Sequence, residues 1–521
     1  MIRNLLSVGG FTLLSRVAGF LTTAVQSAVM GAGEVSDAFF IAQRLPNSFR
    51  SIFGEGAFNA AYIPCYSQAL EQEGADSAKN FASQVFTLLL VSQLVLLLLA
   101  WVFTPQFVSL MAPGLGDRPD KFALAVTLTR ITFPYLMFMV LFTLHQGTLN
   151  THGHFALAAF APVLMNVCVI GAMAFAFFFP KANNAGYVGI AASWGFVLSG
   201  ALQLGLLMRS AHRFGLLERL ARVRWARVKE FFTRLGPAVI GSASGSIAVF
   251  ADTILSSMLP DGGVSAISYA ERLYQLPNGL IGVAAGTVLL PEMSRLLAAD
   301  DGAGAVDAQN RAMALTIAAA APFVVAFMTI PELIVGGLFM HGKFTLVDAY
   351  ASADVLSAYG GGLLALVLVA SARASFQARG DTKTPMTIAL TALAINVALK
   401  VALFTPLGAV GLATATSVGL WINLGALVAI AMSRDLLRFD ARFGKVLAAS
   451  GLASLILAVV ALMGREPALE FGARFGALAN LVALLALGSV GAIAYGGALV
   501  GALRFTGVSL GSLRGARRGR D

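Results

Sequence analysis

The sequence is poor in charge. Asp, Glu, Lys and Arg make up 12% of its 521 residues, about half the share of a soluble globular chain. Cysteine is nearly absent. The two that occur, Cys65 and Cys168, lie in or beside apolar segments with no CxxC pair, which excludes a disulfide framework and zinc–thiolate chemistry. Histidine is also scarce. His145, His152 and His154 cluster at the end of an apolar segment, but no acid or cysteine is spaced to complete a metal site, so they read as interfacial polar residues. No phosphate loop is present. The run Gly360-Gly361-Gly362 sits in an apolar segment without a following Lys-Ser/Thr, which points to close helix packing or a bend, and ATP does not drive this chain directly.

Apolar residues are what the chain has in excess: 58% are hydrophobic and the mean hydropathy is +0.80. Long runs such as Leu88 to Val102 and Leu481 to Leu499 recur from end to end. They are continuous rather than alternating and too long for membrane strands. The fold class is therefore an all-α polytopic membrane protein with about fourteen transmembrane helices. Their centres fall near residues 20, 50, 95, 136, 168, 197, 247, 279, 322, 363, 393, 419, 453 and 487. Met1-Ile2-Arg3 followed by an apolar stretch resembles a secretion signal. Ser15 and Arg16 interrupt that stretch and no small-x-small cleavage site follows, so it reads as a retained first membrane helix.

Orientation follows from the 36 Lys and Arg residues. With both termini on one side, that side collects about 23 of them. They include the cluster Arg209, Arg213, Arg219, Arg222, Arg224, Arg227, Lys229 and Arg234, and the tail Arg514, Arg517, Arg518 and Arg520. The other side has about 6: Arg118, Lys121, Lys181, Lys343, Arg465 and Arg474. The positive-inside rule places both termini in the cytoplasm. The net charge of +10 is explained by juxtamembrane cations facing anionic headgroups, without nucleic acid. The stretch Leu216 to Phe232 mixes apolar and basic residues at helical spacing and is expected to lie along the cytoplasmic interface.

The two halves resemble each other. Ala42-Gln43-Arg44-Leu45 recurs as Ala270-Glu271-Arg272-Leu273, each followed by Leu-Pro-Asn and later by Ile/Leu-Pro. Gly186-x-Val188-Gly189-x-Ala191 recurs as Gly408-x-Val410-Gly411-x-Ala413. An even helix count per repeat makes the copies parallel, the layout of a two-lobed transporter with a midplane cavity. The expected organisation is a lobe over 1–215, a basic linker over 216–235, a second lobe over 236–433, and two extra helices with a basic tail over 434–521.

Charge inside helices is the most informative feature. Arg16, Arg44, Arg50, Arg130 and Arg272 facing lipid would cost on the order of 15 kcal/mol together. They must face water or pair with acids, and acids are few: Asp37 and Glu55 in the second helix, Asp252 in the seventh, Glu271 beside Arg272. The second helix also carries Pro46, which cannot donate to the carbonyl of Ala42. A kinked helix with charges at several depths lines water. Arg16, Arg50 and Arg272 are thus expected to form a cationic site for an anionic group, because the guanidinium fork binds phosphate bidentately and keeps its charge. The alternative is that they clamp the lobes together through salt bridges.

Several stretches resemble the MurJ/MviN family: Ser15-Arg16-Val17-Ala18-Gly19-Phe20, Ser36-Asp37-Ala38-Phe39-Phe40, Leu45-Pro46-Asn47-x-x-Arg50, Glu55-Gly56-Ala57-Phe58, Tyr269-Ala270-Glu271-Arg272-Leu273, Gly342-Lys343-Phe344 and Asp381-Thr382-Lys383-Thr384-Pro385. The resemblance implies the MOP exporter fold: two pseudo-symmetric six-helix lobes plus two C-terminal helices that form a groove for a polyprenyl tail. It implies export of the lipid-linked peptidoglycan precursor, lipid II, across the bacterial inner membrane by alternating access. Arg16, Arg50 and Arg272 match the family's cavity arginines and Asp37 its acidic partner; Arg44 and Glu55 stand beside them. The family often continues its first motif as Gly-Phe-x-Arg-Asp. Here Thr22-Thr23 replace the charged pair, and Arg44 is the available substitute. Some relatives carry a sodium site, for which Asp252, Asp381 and Asn396 are the candidates here. The alternative reading gives Asp381 a helix-capping role; coupling by membrane potential alone also fits. No other cofactor is expected, lipid II and membrane lipids are the expected partners, and the chain reads as a monomer without enzymatic activity. The competing functions are another MOP-type exporter, for polysaccharide-lipids or cationic drugs, and a membrane enzyme acting on polyprenyl pyrophosphate. Surplus arginine disfavours drug cations, and no acid cluster for magnesium supports the enzyme.

Overall fold

The structure, a computed structural model, describes residues 2–52, 57–178 and 185–508. Glu55, Lys181 and the arginines of the tail lie outside the described residues. Among those described, every regular element is helical. Among the described residues, nine stretches are long and apolar enough to cross a membrane. Two hold more than one crossing. Lys383–Ser433 has 51 residues, about 76 Å of helix at 1.5 Å per residue, against a hydrocarbon core of about 30 Å. It breaks at Gly408, whose φ of 54° and ψ of −127° are non-helical. Ala441–Phe505 turns likewise at Gly476. Every expected helix centre falls in a helical segment, the one near 279 in a π-turn.

The exposure pattern is that of a protein in lipid. Leu98 is 64% and Ile493 76% exposed, while Ser36, Asp37, Thr104 and Gln309 are fully buried. Apolar side chains outward and polar ones inward is the reverse of a soluble surface.

The chain divides into two compact units: Met1–Ser265 with Gly342–Phe344, and Ala266–His341 with Thr345–Asp521. The first contains α1 (Ile2–Met30), α2 (Glu34–Ile52), α3 (Phe58–Glu73), α4 (Ala75–Val102), α5 (Thr104–Met111), α6 (Pro119–Thr132), α7 (Pro134–Thr151), α8 (Ala156–Phe178), α9 (Ala185–Arg213) and α10 (Trp225–Ser257). One apolar cluster joins α1, α2, α6, α8 and α9, with Tyr135 of α7 on Phe196 at a ring distance of 3.9 Å. A second gathers Phe58, Tyr62, Tyr66, Phe81 and Phe231 from α3, α4 and α10. Gly342, with φ 60°, is a position where only glycine fits: a Cβ there would strike the carbonyl of Ala28 at the end of α1. The next residue, Lys343, donates its N–H to that carbonyl at 2.8 Å. This is the physical content of the Gly-Lys-Phe motif.

The second unit contains most of α11 (Gly263–Pro277), then α12 (Val283–Ala298), α13 (Gly302–Thr329), α14 (Pro331–Phe339), α15 (Leu346–Gln377), α16 (Lys383–Ser433), α17 (Ala441–Gly472) and α18 (Ala479–Phe505). Pro277 interrupts the hydrogen-bond ladder at the end of α11, and the chain passes through a π-turn, Asn278–Gly282, into α12. The glycine run of α15 packs closely, as expected: a Cβ at Gly362 would meet Ser417 of α16 at 2.6 Å, and Trp421 Nε1 donates to the Gly361 carbonyl at 2.7 Å.

The linker departs from its expected form. The helical spacing read over Leu216 to Phe232 is real only from Trp225, where α10 begins. Residues 216–224 are not helical, and their backbone donors are met by side chains of α4 instead. Arg219 N donates to Ser83 Oγ (3.1 Å), Ala221 N to Thr87 Oγ1 (3.0 Å) and Arg224 N to Gln84 Oε1 (2.8 Å). Three side-chain acceptors one to three residues apart on α4 offer the backbone partners that a helix would otherwise supply.

Candidate functional site

Arg16 lies half-buried midway along α1 and lines a pocket of about 420 Å³ with Ser15, Gln146 and Asn150 of α7, and Phe155, Ala158, Ala159 and Pro162 around the start of α8. Among the described residues that line it, none is acidic. A guanidinium is thus presented beside two carboxamides and an apolar wall, an arrangement suited to an anion with an attached polar group.

Asp37 is placed elsewhere and is fully occupied. Its carboxylate is completely buried and accepts from Lys121 Nζ (2.8 Å), Gly262 N (2.9 Å), Ser265 N (2.8 Å) and Ser265 Oγ (2.5 Å). Lys121, read from sequence as a loop charge, is buried in the first turn of α6 and bridges to Asp261 at 2.7 Å. Arg118 reaches the same Asp261 oxygen at 2.6 Å. Burial alone would raise the Asp261 carboxyl, but Lys121 and Arg118 outweigh it and hold the group below the usual carboxylate range. The negative charge of Asp37 is therefore neutralised by Lys121, and the acid ties α2 and α6 to the turn between α10 and α11.

Arg44 donates from Nη1 to Ser256 Oγ of α10 at 3.0 Å, a tie between helices. Arg50 is half-buried in the last turn of α2. Arg272 is exposed on α11 in the second unit. Glu55 lies outside the described residues. Thr22 and Thr23, which replace the expected charged pair, are buried. The Thr22 hydroxyl lies 2.9 Å from Asn166 Oδ1 of α8, and Thr23 Oγ1 donates to the Gly19 carbonyl at 3.1 Å. Thr22 thus meets α8 and Thr23 bonds back to its own helix, and neither is among the residues that line the Arg16 pocket.

Two of the candidate sodium ligands, Asp381 and Asn396, do not meet. Asp381 and Asn396 are fifteen residues apart along α16 and its cap, about 22 Å at 1.5 Å per residue. Asp381 caps that helix by accepting from Thr384 N at 2.9 Å, and it meets Arg434 at 3.1 Å. The Thr384 N–H, the Thr384 hydroxyl and Arg434 hold its carboxyl below the usual range. Asn396 Nδ2 donates to the Ala415 carbonyl at 2.8 Å. Asp252 belongs to the other unit. Among the described residues no three His, Cys, Asp or Glu side chains converge on a metal position.

The histidines are not simply interfacial. His145 is completely buried, with Nδ1 2.6 Å from Glu218 Oε2 of the linker, itself buried. Glu218 Oε1 accepts from Thr148 Oγ1 at 2.8 Å, and that hydroxyl is 2.8 Å from Tyr62. His152 is 3.1 Å from the Tyr66 hydroxyl and His154 stacks on Phe214. Sequence spacing gave no hint of Glu218, because its partner sits some seventy residues earlier on another element.

In the second unit an apolar groove of about 340 Å³ runs between α13, α17 and α18, lined by Phe323, Ala326, Leu457, Leu487, Gly488 and Gly491. Its walls are wholly suited to a hydrocarbon chain.

Two helical units, a polar interior and an arginine-bearing pocket define a multi-pass membrane transporter. The comparisons make this specific. A family model described as lipid II flippase MurJ matches residues 26–475. A probable lipid II flippase MurJ of Rhizobium meliloti (strain 1021) is 38% identical over 427 residues, 81% of this chain and 79% of that protein. The lipid II flippase MurJ of Burkholderia cenocepacia is 34% identical over 81% of this chain and 82% of its own length. A solved lipid II flippase MurJ in an inward closed conformation covers 96% of this chain and 99% of its own at a TM-score of 0.79 and 24% identity. An inward-facing MATE multidrug transporter of the MOP superfamily follows with a TM-score of 0.66 at 14% identity, over 81% of this chain and 96% of its own. The fold is the MOP exporter fold, and the chain belongs to the lipid II flippase MurJ family, as a multi-pass protein of the inner membrane.

Proposed function

We propose that this protein carries lipid II from the cytoplasmic to the periplasmic leaflet by alternating access, and that the arginines at Arg16, Arg50 and Arg272 take the pyrophosphate. Arg44 stands near them in sequence as a helix tie. The observation that carries the reading is the Arg16 pocket, in which a guanidinium has carboxamide neighbours and no acid among the described lining residues. Asp37, an acid of α2, is already matched by Lys121. The apolar groove of α13, α17 and α18 would hold the polyprenyl chain. With both termini cytoplasmic, the inside-negative membrane potential pushes an anionic headgroup outward, at about 2.3 kcal/mol per charge for 100 mV. That supplies a driving force without a bound cation or any other cofactor. The chain acts as a monomer on a membrane lipid, makes and breaks no covalent bond, and does not engage nucleic acid.

The test is complementation of a flippase-depleted strain, with the leaflet location of lipid II as the readout. The unaltered chain is expected to restore growth. Arg50→Ala and Arg272→Ala are expected to insert normally and fail to restore it. Full rescue by both variants would remove the pyrophosphate assignment.

A further inference from the structure

The Arg16 pocket contains more than a phosphate contact needs. Gln146 and Asn150 are four residues apart on α7, so their side chains share one helix face, and both line the pocket. A pyrophosphate calls for donors only. A carboxamide offers a donor and an acceptor together, the combination that matches hydroxyl and acetamido groups of a sugar. Asn150 Oδ1 is buried with no hydrogen-bond partner among the described residues. Such an orphaned acceptor is costly, and a ligand N–H or O–H relieves the cost. The terminal amide torsion is soft enough to turn that oxygen into the pocket. Phe155, Ala158 and Pro162 add an apolar wall against which a sugar ring can lie, and the volume is that of a small-ligand site.

We propose that Gln146 and Asn150 form, beside Arg16, the subsite that reads the carbohydrate of the headgroup, so that the protein distinguishes a glycosylated polyprenyl pyrophosphate from the bare one. This rests on the flippase reading and deepens it. The charge contact at Arg16 is common to both lipids; the amides act only on the one that has sugar. A site built to hydrogen-bond a polar group rejects the analogue that lacks it.

The experiment uses the full-length protein in nanodiscs and measures binding of lipid II and of undecaprenyl pyrophosphate. The unaltered protein is expected to bind lipid II more tightly. Asn150→Ala and, separately, Gln146→Leu are each expected to weaken lipid II binding about tenfold, the scale of one or two lost hydrogen bonds. Binding of undecaprenyl pyrophosphate stays unchanged in both, and Arg16→Ala weakens both lipids. Gln146 is only half-buried, so its variant keeps the test open if Asn150→Ala folds poorly. Equal weakening of the two lipids, or no change in either, in variants that keep the parent melting temperature overturns the sugar-reading role. Failure of the unaltered protein to bind either lipid would instead strike the flippase reading on which it rests.

Discussion

Lys121 and Asp37 form an ion pair of 2.8 Å with side chains 1% and 0% exposed. Charges taken fully out of water are tolerated only when every polar atom is answered, and here they are: three further donors reach Asp37, and Asp261 takes the other side of Lys121. The acid that the sequence assigned to the cavity is thus the anchor of a corner. Removing one partner leaves the other buried and unmatched, so Lys121→Met should destabilise the protein by about 3 to 5 kcal/mol. Asp37→Ala should cost as much, because it also orphans the Gly262 and Ser265 N–H groups. Thermal unfolding of the purified protein measures both; a melting temperature unchanged in either variant contradicts the anchor.

Asp261 makes the same corner sensitive to acid. Its carboxyl is held below the ordinary range by Lys121 and Arg118 against the effect of burial. A depressed folded pKa contributes stability that is fully present above the unfolded value of about 3.9 and is lost as pH falls below it. The melting temperature should therefore be insensitive to this group between pH 7 and 5 and should fall below about pH 4. Asp261→Asn should start lower at neutral pH and show a shallower acid fall. Parallel acid curves for the two proteins would remove Asp261 from the explanation.

Glu218 fixes the linker. It is buried against His145 and Thr148, while neighbouring Arg219 and Arg222 carry trypsin sites. Glu218→Ala removes the carboxylate that faces buried His145, while Thr148 keeps Tyr62 and the Leu144 carbonyl; the loss, about 1 to 3 kcal/mol, should speed cleavage at these arginines in limited proteolysis. Glu218→Gln retains an acceptor for Thr148 and should be cleaved at an intermediate rate.

The apolar groove can be filled without disturbing the fold. A Cβ at Gly488 meets nothing within 4 Å, whereas one at Gly491 meets Leu457. Gly488→Phe should therefore insert and melt like the parent while losing lipid II export in the complementation assay. Normal export by this variant would exclude the groove as the polyprenyl path.

Much of this protein was determined by its sequence alone. Long apolar runs left no alternative to membrane helices, because backbone groups in lipid must be satisfied within the segment. The Leu-Pro-Asn of α11 marks a real interruption, since Pro277 ends that helix in a π-turn, whereas its counterpart Pro46 stays inside α2, which continues to Ile52. Arg16 stood out as a candidate because a charge deep in an apolar run is expensive anywhere in the fold, and the structure places it on the wall of a pocket. Partner choice was a matter for the tertiary structure. Asp37 met Lys121 rather than a neighbouring arginine, Glu218 met His145, and Asp381 and Asn396 came no closer than their helix allows. An ion pair or a pocket depends on which faces of distant helices meet, and periodicity along one helix carries no record of its neighbours.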